Sequence, residues 1–360
     1  MAGKLVSSPA VQQTVSSADE AEVAAAILNW NGGDLVVSCL RSLMRQTHVP
    51  QPRIVVDNAS TDGSLERLQA EDPNLVVIAN PRNVGFAKAA NQAVAACRAR
   101  WLLLLNLDIE LESDYVARLL MSGESSPQIG ALTGKLLKPR RDGTADIIDS
   151  TGHLLFRNGW AANRGEGAPD QPRWERAGEI FGVCAAAPLY RVEMLRDVSH
   201  GCAQPFDERF VAYIEDVDLD WRMRWLGWQA WYEPAVAWHH RSATGTRRSA
   251  FMLRHILKNR LLLVANNDLW PQGLLRVPTV ALFALLTAVQ FGTEAGRALL
   301  GLLDFMQLLP ASVQRRRFLR RRRRVSASAI SRWMQPFPYR RQLIQKLRTS
   351  TDRASGQVLD

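Results

Sequence analysis

Carboxylates and side-chain amides are concentrated in a few runs of this 360-residue chain. One is Asn106-Leu107-Asp108-Ile109-Glu110, which follows the apolar stretch Trp-Leu-Leu-Leu-Leu at 101–105. A second lies between Phe206 and Asp220 and holds six acidic residues within fifteen: Asp207, Glu208, Glu215, Asp216, Asp218 and Asp220. Short acidic clusters suit a hard divalent cation that bridges to phosphate oxygens. Six acids this close repel one another unless some are protonated or paired with cations. Plainer readings compete. A strand ending in an Asp/Glu turn accounts for 101–110 equally well. Asp and Glu are also favoured in the first turn of a helix, and Trp221-Arg222-Met223-Arg224-Trp225 would continue one.

The elements that would position these residues alternate between short apolar runs and helical patterns from Val23 to Asp146. Val23–Leu28, Ile54–Val56, Leu75–Ile78 and 101–105 read as strands, the last as a fully buried one. Apolar residues at 36, 37, 40, 43 and 44 mark an amphipathic helix after the first strand, and another helix runs to about Cys97. Strands separated by helices of this length imply right-handed βαβ units and a mostly parallel sheet. The polar residues Asn29, Asp57, Arg82/Asn83 and Asp108 then all fall at strand ends on one edge, where open α/β sheets bind ligands. Any one of these segments reads equally well as a loop or Asx turn; four in register point to a shared crevice. No G-x-G-x-x-G follows the first strand and no G-x-x-x-x-G-K-[ST] occurs. A nucleotide site here would be built from carboxylates, amides and a metal, not from a glycine cradle.

Four stretches, taken in order, carry a family resemblance: Ile-Leu-Asn-Trp-Asn-Gly at 27–32, Val-Val-Asp-Asn-Ala-Ser-Thr-Asp-Gly-Ser at 55–64, Asn-Val-Gly-Phe-Ala-Lys-Ala-Ala-Asn at 83–91 and Leu-Leu-Asn-Leu-Asp at 104–108. Over roughly residues 22 to 270 the chain resembles the family 2 inverting glycosyltransferases. The likeness is to the rhamnosyltransferase-like branch that builds bacterial cell-surface polysaccharides. The resemblance implies an α/β GT-A (Rossmann-like) fold and a nucleotide-diphosphate-sugar donor, with dTDP-rhamnose suggested by the branch alone. It puts Asp57 at the nucleobase, with Asn29 and Asn31 beside it, and makes Asp108 the metal-binding acid. Asn58, Asp62, Arg82, Asn83, Gly85, Asn91, Asn106 and Leu107 belong to the same motifs and are expected around the donor. The strand motif is Asn106-Leu107-Asp108 where the family pattern has Asp-x-Asp, so one carboxylate is replaced by an amide.

Displacement at an anomeric carbon needs a carboxylate to take the acceptor hydroxyl's proton as the new bond forms. Glu215-Asp216 looks like the family's acid pair, which implies Asp216 as base and Glu215 as its support or an acceptor contact. Asp218 and Asp220 read as caps or ion-pair partners. His239, directly after the apolar segment 232–238, resembles the family's metal-binding histidine, with His240 as the alternative. Asp108, His239 and diphosphate oxygens would suit Mg²⁺ or Mn²⁺. Arg260 of Lys258-Asn259-Arg260 is a candidate diphosphate contact or part of a solvated helix face. Trp221, Trp225 and Trp228 share one helical face and read as core or interface. Residues 147–205 are mute.

Composition bounds the rest. The net charge of +10 resides in the last fifty residues, where fourteen Lys/Arg face two Asp; the remainder is slightly acidic. Cys39, Cys97, Cys184 and Cys202 stand far apart, which excludes a C-x-x-C zinc or disulfide framework. The expected organisation is a flexible leader (1–21), a GT-A domain (22–270), apolar and amphipathic helices (271–310) and a basic tail (311–360). The apolar stretch 274–291 is interrupted by Arg276 and Pro278 and reads as interfacial, since a span needs about 20 apolar residues. Eight arginines within 315–324 next to apolar helices favour peripheral contact with the anionic cytoplasmic leaflet over nucleic acid. A lipid-linked or glycan acceptor would fit that location. Oligomeric state is not legible. Two rival functions remain. A sugar-phosphate nucleotidyltransferase would need a Gly-rich loop better than Trp30-Asn31-Gly32-Gly33. A nucleic-acid-binding protein would leave Glu215, Asp216 and His239 without purpose.

Overall fold

The computed structural model describes residues 21–139, 146–199, 204–241, 250–268, 278 and 295–337. The leader up to residue 20, the stretch 274–291 apart from Pro278, and the tail beyond 337 lie outside the described residues.

Strands β1 (Val23–Asn29), β2 (Arg53–Asp57), β3 (Val76–Ala79) and β4 (Trp101–Asn106) are parallel and run β3-β2-β1-β4 across the sheet. Helices α1 (Gly33–Met44), α2 (Ser64–Glu71) and α3 (Phe86–Ala96) connect them. Both β1 and β4 are buried on both faces, which is why they read as unbroken apolar runs. Period-two alternation divides each between two cores. Ala25, Ile27, Leu103 and Leu105 pack with α1, while Ala24, Ala26, Leu102 and Leu104 pack with α3. Each leucine so buried contributes about 1.5–3 kcal/mol. The register sets Asn29 beside Asp57 and Leu28 beside Asn106. Strand order reverses between β1 and β4, which opens a crevice at their carboxyl ends.

Beyond β4 the sheet is mixed. The chain continues through β5 (Ile109–Leu111), α4 (Tyr115–Glu124), β6 (Ile129–Leu137), β7 (Ile148–Ser150), β8 (His153–Phe156), β9 (Ala161–Asn163), β10 (Gly178–Ile180), β11 (Leu189–Arg191), α5 (Val192–Val198), α6 (Glu215–Trp225) and β12 (Gln229–His239). Strand β11 enters antiparallel between β4 and β6, β12 runs parallel to β6, and β5 and β10 are antiparallel to β12. The parallel expectation therefore holds for the first four strands. The later ones are mostly three or four residues long, too short to leave a periodic signal. Strands β8 and β9 form a small second sheet with β13 (Met334–Gln335), a strand from far down the chain.

Three helices complete the described chain: α7 (Ala250–Asn267), α8 (Ala295–Arg322) and α9 (Ala327–Ser331). The expected boundary between 310 and 311 falls inside α8, which continues through Pro310. Nor are its arginines a free basic tail. Arg315 pairs with Asp207 at 2.6 Å, Arg322 and Arg324 both pair with Asp197, and Arg316 donates to the Asp268 carbonyl. Trp221 and Trp225 are buried between α6, α7 and α8, as core residues. Trp228 follows α6 and packs with a different core cluster, that of Leu219, Met223 and Leu226, donating to Asp197 at 2.8 Å. No helix among the described residues is long and apolar enough to cross a membrane.

Candidate active site

The loops after β1 and β2 are zipped together by the residues expected there. Asn29 Nδ2 lies within hydrogen-bond distance of Asp57 Oδ1 (2.8 Å), Ser64 Oγ (2.9 Å) and Ser60 Oγ (3.1 Å). Asp57 also accepts from the Ser60 backbone N–H and hydroxyl. Asn31, in the left-handed region, accepts from Thr61 N, and Asp62 accepts from Gly33 N. Asn58 is tied to Asn80 at 3.0 Å. Asn29, Asn31, Asp57, Asn58 and Asp62 thus form one polar rim at the crevice. Arg82 and Asn83 stand exposed on the loop after β3, where Asn83 accepts from Gly85 N. Gly85 has φ +83°, and a Cβ there would meet the Val211 carbonyl at 2.8 Å. The glycine thereby lets the α3 N-terminus abut the segment leading to α6.

At the end of β4, Asp108 meets His239, the last residue of β12. Antiparallel pairing of β5 with β12 puts His239 opposite Ile109, and its Nε2 stands 3.4 Å from Asp108 Oδ1. Its Nδ1 lies 2.8 Å from Asp149 Oδ2, and Arg241 holds the other Asp149 oxygen at 2.6 Å. This is the carboxylate–histidine arrangement that orients an imidazole for a metal. Burial alone would lower the His239 proton affinity, but Asp108 and Asp149 outweigh it and push it up to about 10. One carboxylate oxygen and one oriented imidazole nitrogen 3.4 Å apart are a donor set that would suit a divalent cation such as Mg²⁺ or Mn²⁺. His240 faces the other way, 3.4 Å from Glu110. Strand alternation thus makes His239 the candidate ligand and leaves Glu110 outside the pair.

The acid pair opens α6. Glu215 is buried; burial and the Asp216 charge push its carboxyl up to about 8, so it is a neutral acid at pH 7. Asp216 is partly exposed and accepts from Val217 N (2.8 Å) and Ala185 N (3.2 Å). The next residue, Ala186, accepts from Asn106 N at 2.9 Å. Residues 185–186 therefore clasp the end of β4 on one side and Asp216 on the other. The small-residue stretch 181–187, mute as sequence, forms the wall between them.

Approach to α6 is unusual. Val211, Tyr213 and Ile214 have φ of 67°, 72° and 70°, conformations costly for β-branched or bulky residues. Asn259 of α7 holds this segment, donating to the carbonyls of Phe210, Ala212 and Tyr213 at 2.7–3.0 Å.

Two expected donor contacts go elsewhere. Asn91 binds both the Phe206 carbonyl and its N–H, fixing α3 to the acidic segment rather than facing the crevice. Arg260 lies against the Trp160 ring. Asp218 is an ion-pair partner, 2.9 Å from Arg222. Asp220 instead lies 2.7 Å from His153 Nδ1. Sequence reasoning missed His153, Asp149 and Asn259. The usable signal for the first was a histidine opening the apolar run Leu-Leu-Phe.

A parallel sheet with its crevice between β1 and β4, and acids at the ends of β4 and the start of α6, is the architecture of a GT-A glycosyltransferase. Residues 25–197 match the model for glycosyl transferase family 2, and this part of the chain is a family 2 glycosyltransferase domain, rhamnosyltransferase-like in sequence. It is 26% identical over 269 residues to an N-acetylglucosaminyl-diphospho-decaprenol L-rhamnosyltransferase of Mycobacterium tuberculosis (strain ATCC 25618 / H37Rv), covering 69% of this chain and 86% of the relative. The fold is similar to that of S. aureus TarS 1-349, solved in complex with UDP-GlcNAc (TM-score 0.52, 14% identity, 84% of this chain and 88% of that one). It is also similar to GalNAc-T7, solved with UDP, GalNAc and Mn²⁺ (TM-score 0.53, 12% identity, 70% of this chain); the match spans about half of that protein, 51%.

Proposed function

We propose that the chain is a metal-dependent inverting glycosyltransferase of cell-surface polysaccharide synthesis. It moves a sugar, dTDP-rhamnose being the leading donor, from a nucleotide diphosphate to a hydroxyl of a lipid-linked or glycan acceptor. The observation that carries this reading is the clasp at 185–186, which ties Asp216 to the end of β4, where Asp108 meets His239 of β12. The rim from Asn29 to Asp62 would take the nucleoside. Asp108 and His239 would hold Mg²⁺ or Mn²⁺, which when bound neutralises charge on the diphosphate leaving group. Asp216 takes the acceptor proton, and that oxygen attacks the anomeric carbon on the face opposite the diphosphate. Glu215, neutral and buried, keeps a second negative charge away from the base. The rhamnosyltransferase named above supports the donor and the lipid-linked acceptor, and the Mn²⁺ of GalNAc-T7 supports the cation.

Attachment to the inner membrane surface is part of the same proposal. Leu300, Leu303 and Met306 of α8 and Phe251 of α7 are large apolar side chains exposed to solvent. Arg317, Arg321 and Arg323 are exposed on the same helix and its end.

The test is a panel of dTDP-rhamnose, UDP-GlcNAc and GDP-mannose with Mg²⁺ or Mn²⁺ and a polyprenyl-diphosphate sugar. Release of nucleoside diphosphate with an inverted anomeric product is expected. Release of pyrophosphate would instead identify a nucleotidyltransferase.

A further inference from the structure

His153 lies at the start of β8, its ring 4% exposed. Its Nδ1 is 2.7 Å from Asp220 Oδ2 and its Nε2 is 3.5 Å from Asp216 Oδ2. Asp216 and Asp220 stand one turn apart on α6, so both carboxylates lie on one side of the helix. In a buried setting two such charges repel. Among the described residues no Lys or Arg pairs with either acid; the imidazole is their shared partner. Backbone donors complete the set, Val183 N to Asp220 Oδ1 at 3.1 Å and Ala185 N to Asp216 Oδ2 at 3.2 Å. Gly182 is required for this approach, because a Cβ there would overlap the Asp220 carboxylate.

We propose that His153 is a positioning residue for the base. Anchored by Asp220 at Nδ1, its ring fixes the orientation of the Asp216 carboxylate through Nε2. The proposal rests on the transferase reading above. In the transfer step the acceptor O–H bond breaks and its proton goes to Asp216. The oxygen's electron pair forms the new bond to the anomeric carbon as the bond to the diphosphate breaks, and the diphosphate leaves with that pair. His153 keeps its own protons throughout. Burial opposes a charged ring, but Asp216 and Asp220 outweigh it and hold His153 well above the ordinary histidine range. The other groups facing this cluster are Cys184 of the 182–185 loop, the neutral acid Glu215, Tyr190 of β11, which burial keeps neutral, and Arg224 of α6, whose charge acts on Asp220.

His153→Gln preserves bulk and a hydrogen bond toward Asp220 but removes the charge. With whichever donor the panel shows to be used, the acid limb of kcat/KM against pH should move up by about one unit, and kcat at pH 7 should fall on the order of tenfold. Nucleotide affinity by calorimetry should stay within about threefold. A folded variant with the wild-type pH profile and kcat overturns the proposal. Imidazole ¹⁵N NMR on the wild-type chain needs neither donor nor variant: a doubly protonated His153 ring through pH 8 is expected, and a neutral ring at pH 7 overturns the proposal. A wild-type chain inactive on every donor contradicts the transferase reading instead, and the NMR result stands apart from it.

Discussion

Neighbouring acids in this site carry different charge because their surroundings differ. Glu215 is buried beside the Asp216 charge, and its carboxyl is raised from 4.5 to about 8. The folded chain therefore keeps a proton there that the unfolded chain releases above about pH 4.5. The stabilising contribution is complete below that pH and is lost as pH rises through about 8. Glu215→Gln, neutral in both states, should melt with wild type near pH 4.5 and increasingly above it toward pH 8; parallel melting curves across that range would contradict the assignment. The Asp108–His239 pair makes a second prediction. Chelation should stop turnover, and Asp149→Asn should raise the Mn²⁺ concentration for half-maximal activity by about 10–100-fold. Undiminished activity in excess EDTA would show a metal-independent reaction. Glu215, Asp216, Asp108 and His239 were candidates from the sequence through the family resemblance of their motifs, and each adjoins the end of a strand or the start of a helix. Asp149 and His153 were not, because their partners lie 90 and 67 positions away in segments without periodicity.

Among the elements, the first four strands were legible because apolar runs of three to six residues alternate with helices of ordinary spacing. The segment from β7 to β11 was not, because its strands are short and its small residues serve close approach rather than core filling. Asn259 shows how a distant helix shapes the site. Its amide satisfies three carbonyls of the segment in which Val211, Tyr213 and Ile214 are held at positive φ. Without it those carbonyls lose their buried donor and the strained turn relaxes. Asn259→Ala should cost about 1–3 kcal/mol in denaturant unfolding. It should also lower kcat more than it weakens nucleotide binding, since the α6 N-terminus moves while the rim at 29–62 does not. A change in nucleotide affinity with kcat unaltered would refute that division of labour.

At the scale of the whole molecule, charge balance placed the basicity in the C-terminal region but did not show that part of it is paired within the fold. Arg315, Arg316, Arg322 and Arg324 lock α8 to the acidic body of the enzyme; pairings across some hundred positions leave no local trace in sequence. Among the described residues, what remains exposed on α8 is a shorter basic edge beside an apolar stripe. Vesicles containing anionic lipid should co-sediment with the full chain, less so at high salt. Leu303→Glu with Met306→Glu should reduce that binding by about tenfold or more, and equal binding by this double variant would exclude α8 as the contact. The account as a whole depends on Asp216 acting as base in a chain whose donor site is built separately. The direct measurement is sugar transfer and donor affinity for Asp216→Asn. Transfer should fall on the order of 10²–10⁴-fold with donor affinity unchanged, whereas an Asp216→Asn enzyme turning over at the wild-type rate would contradict it.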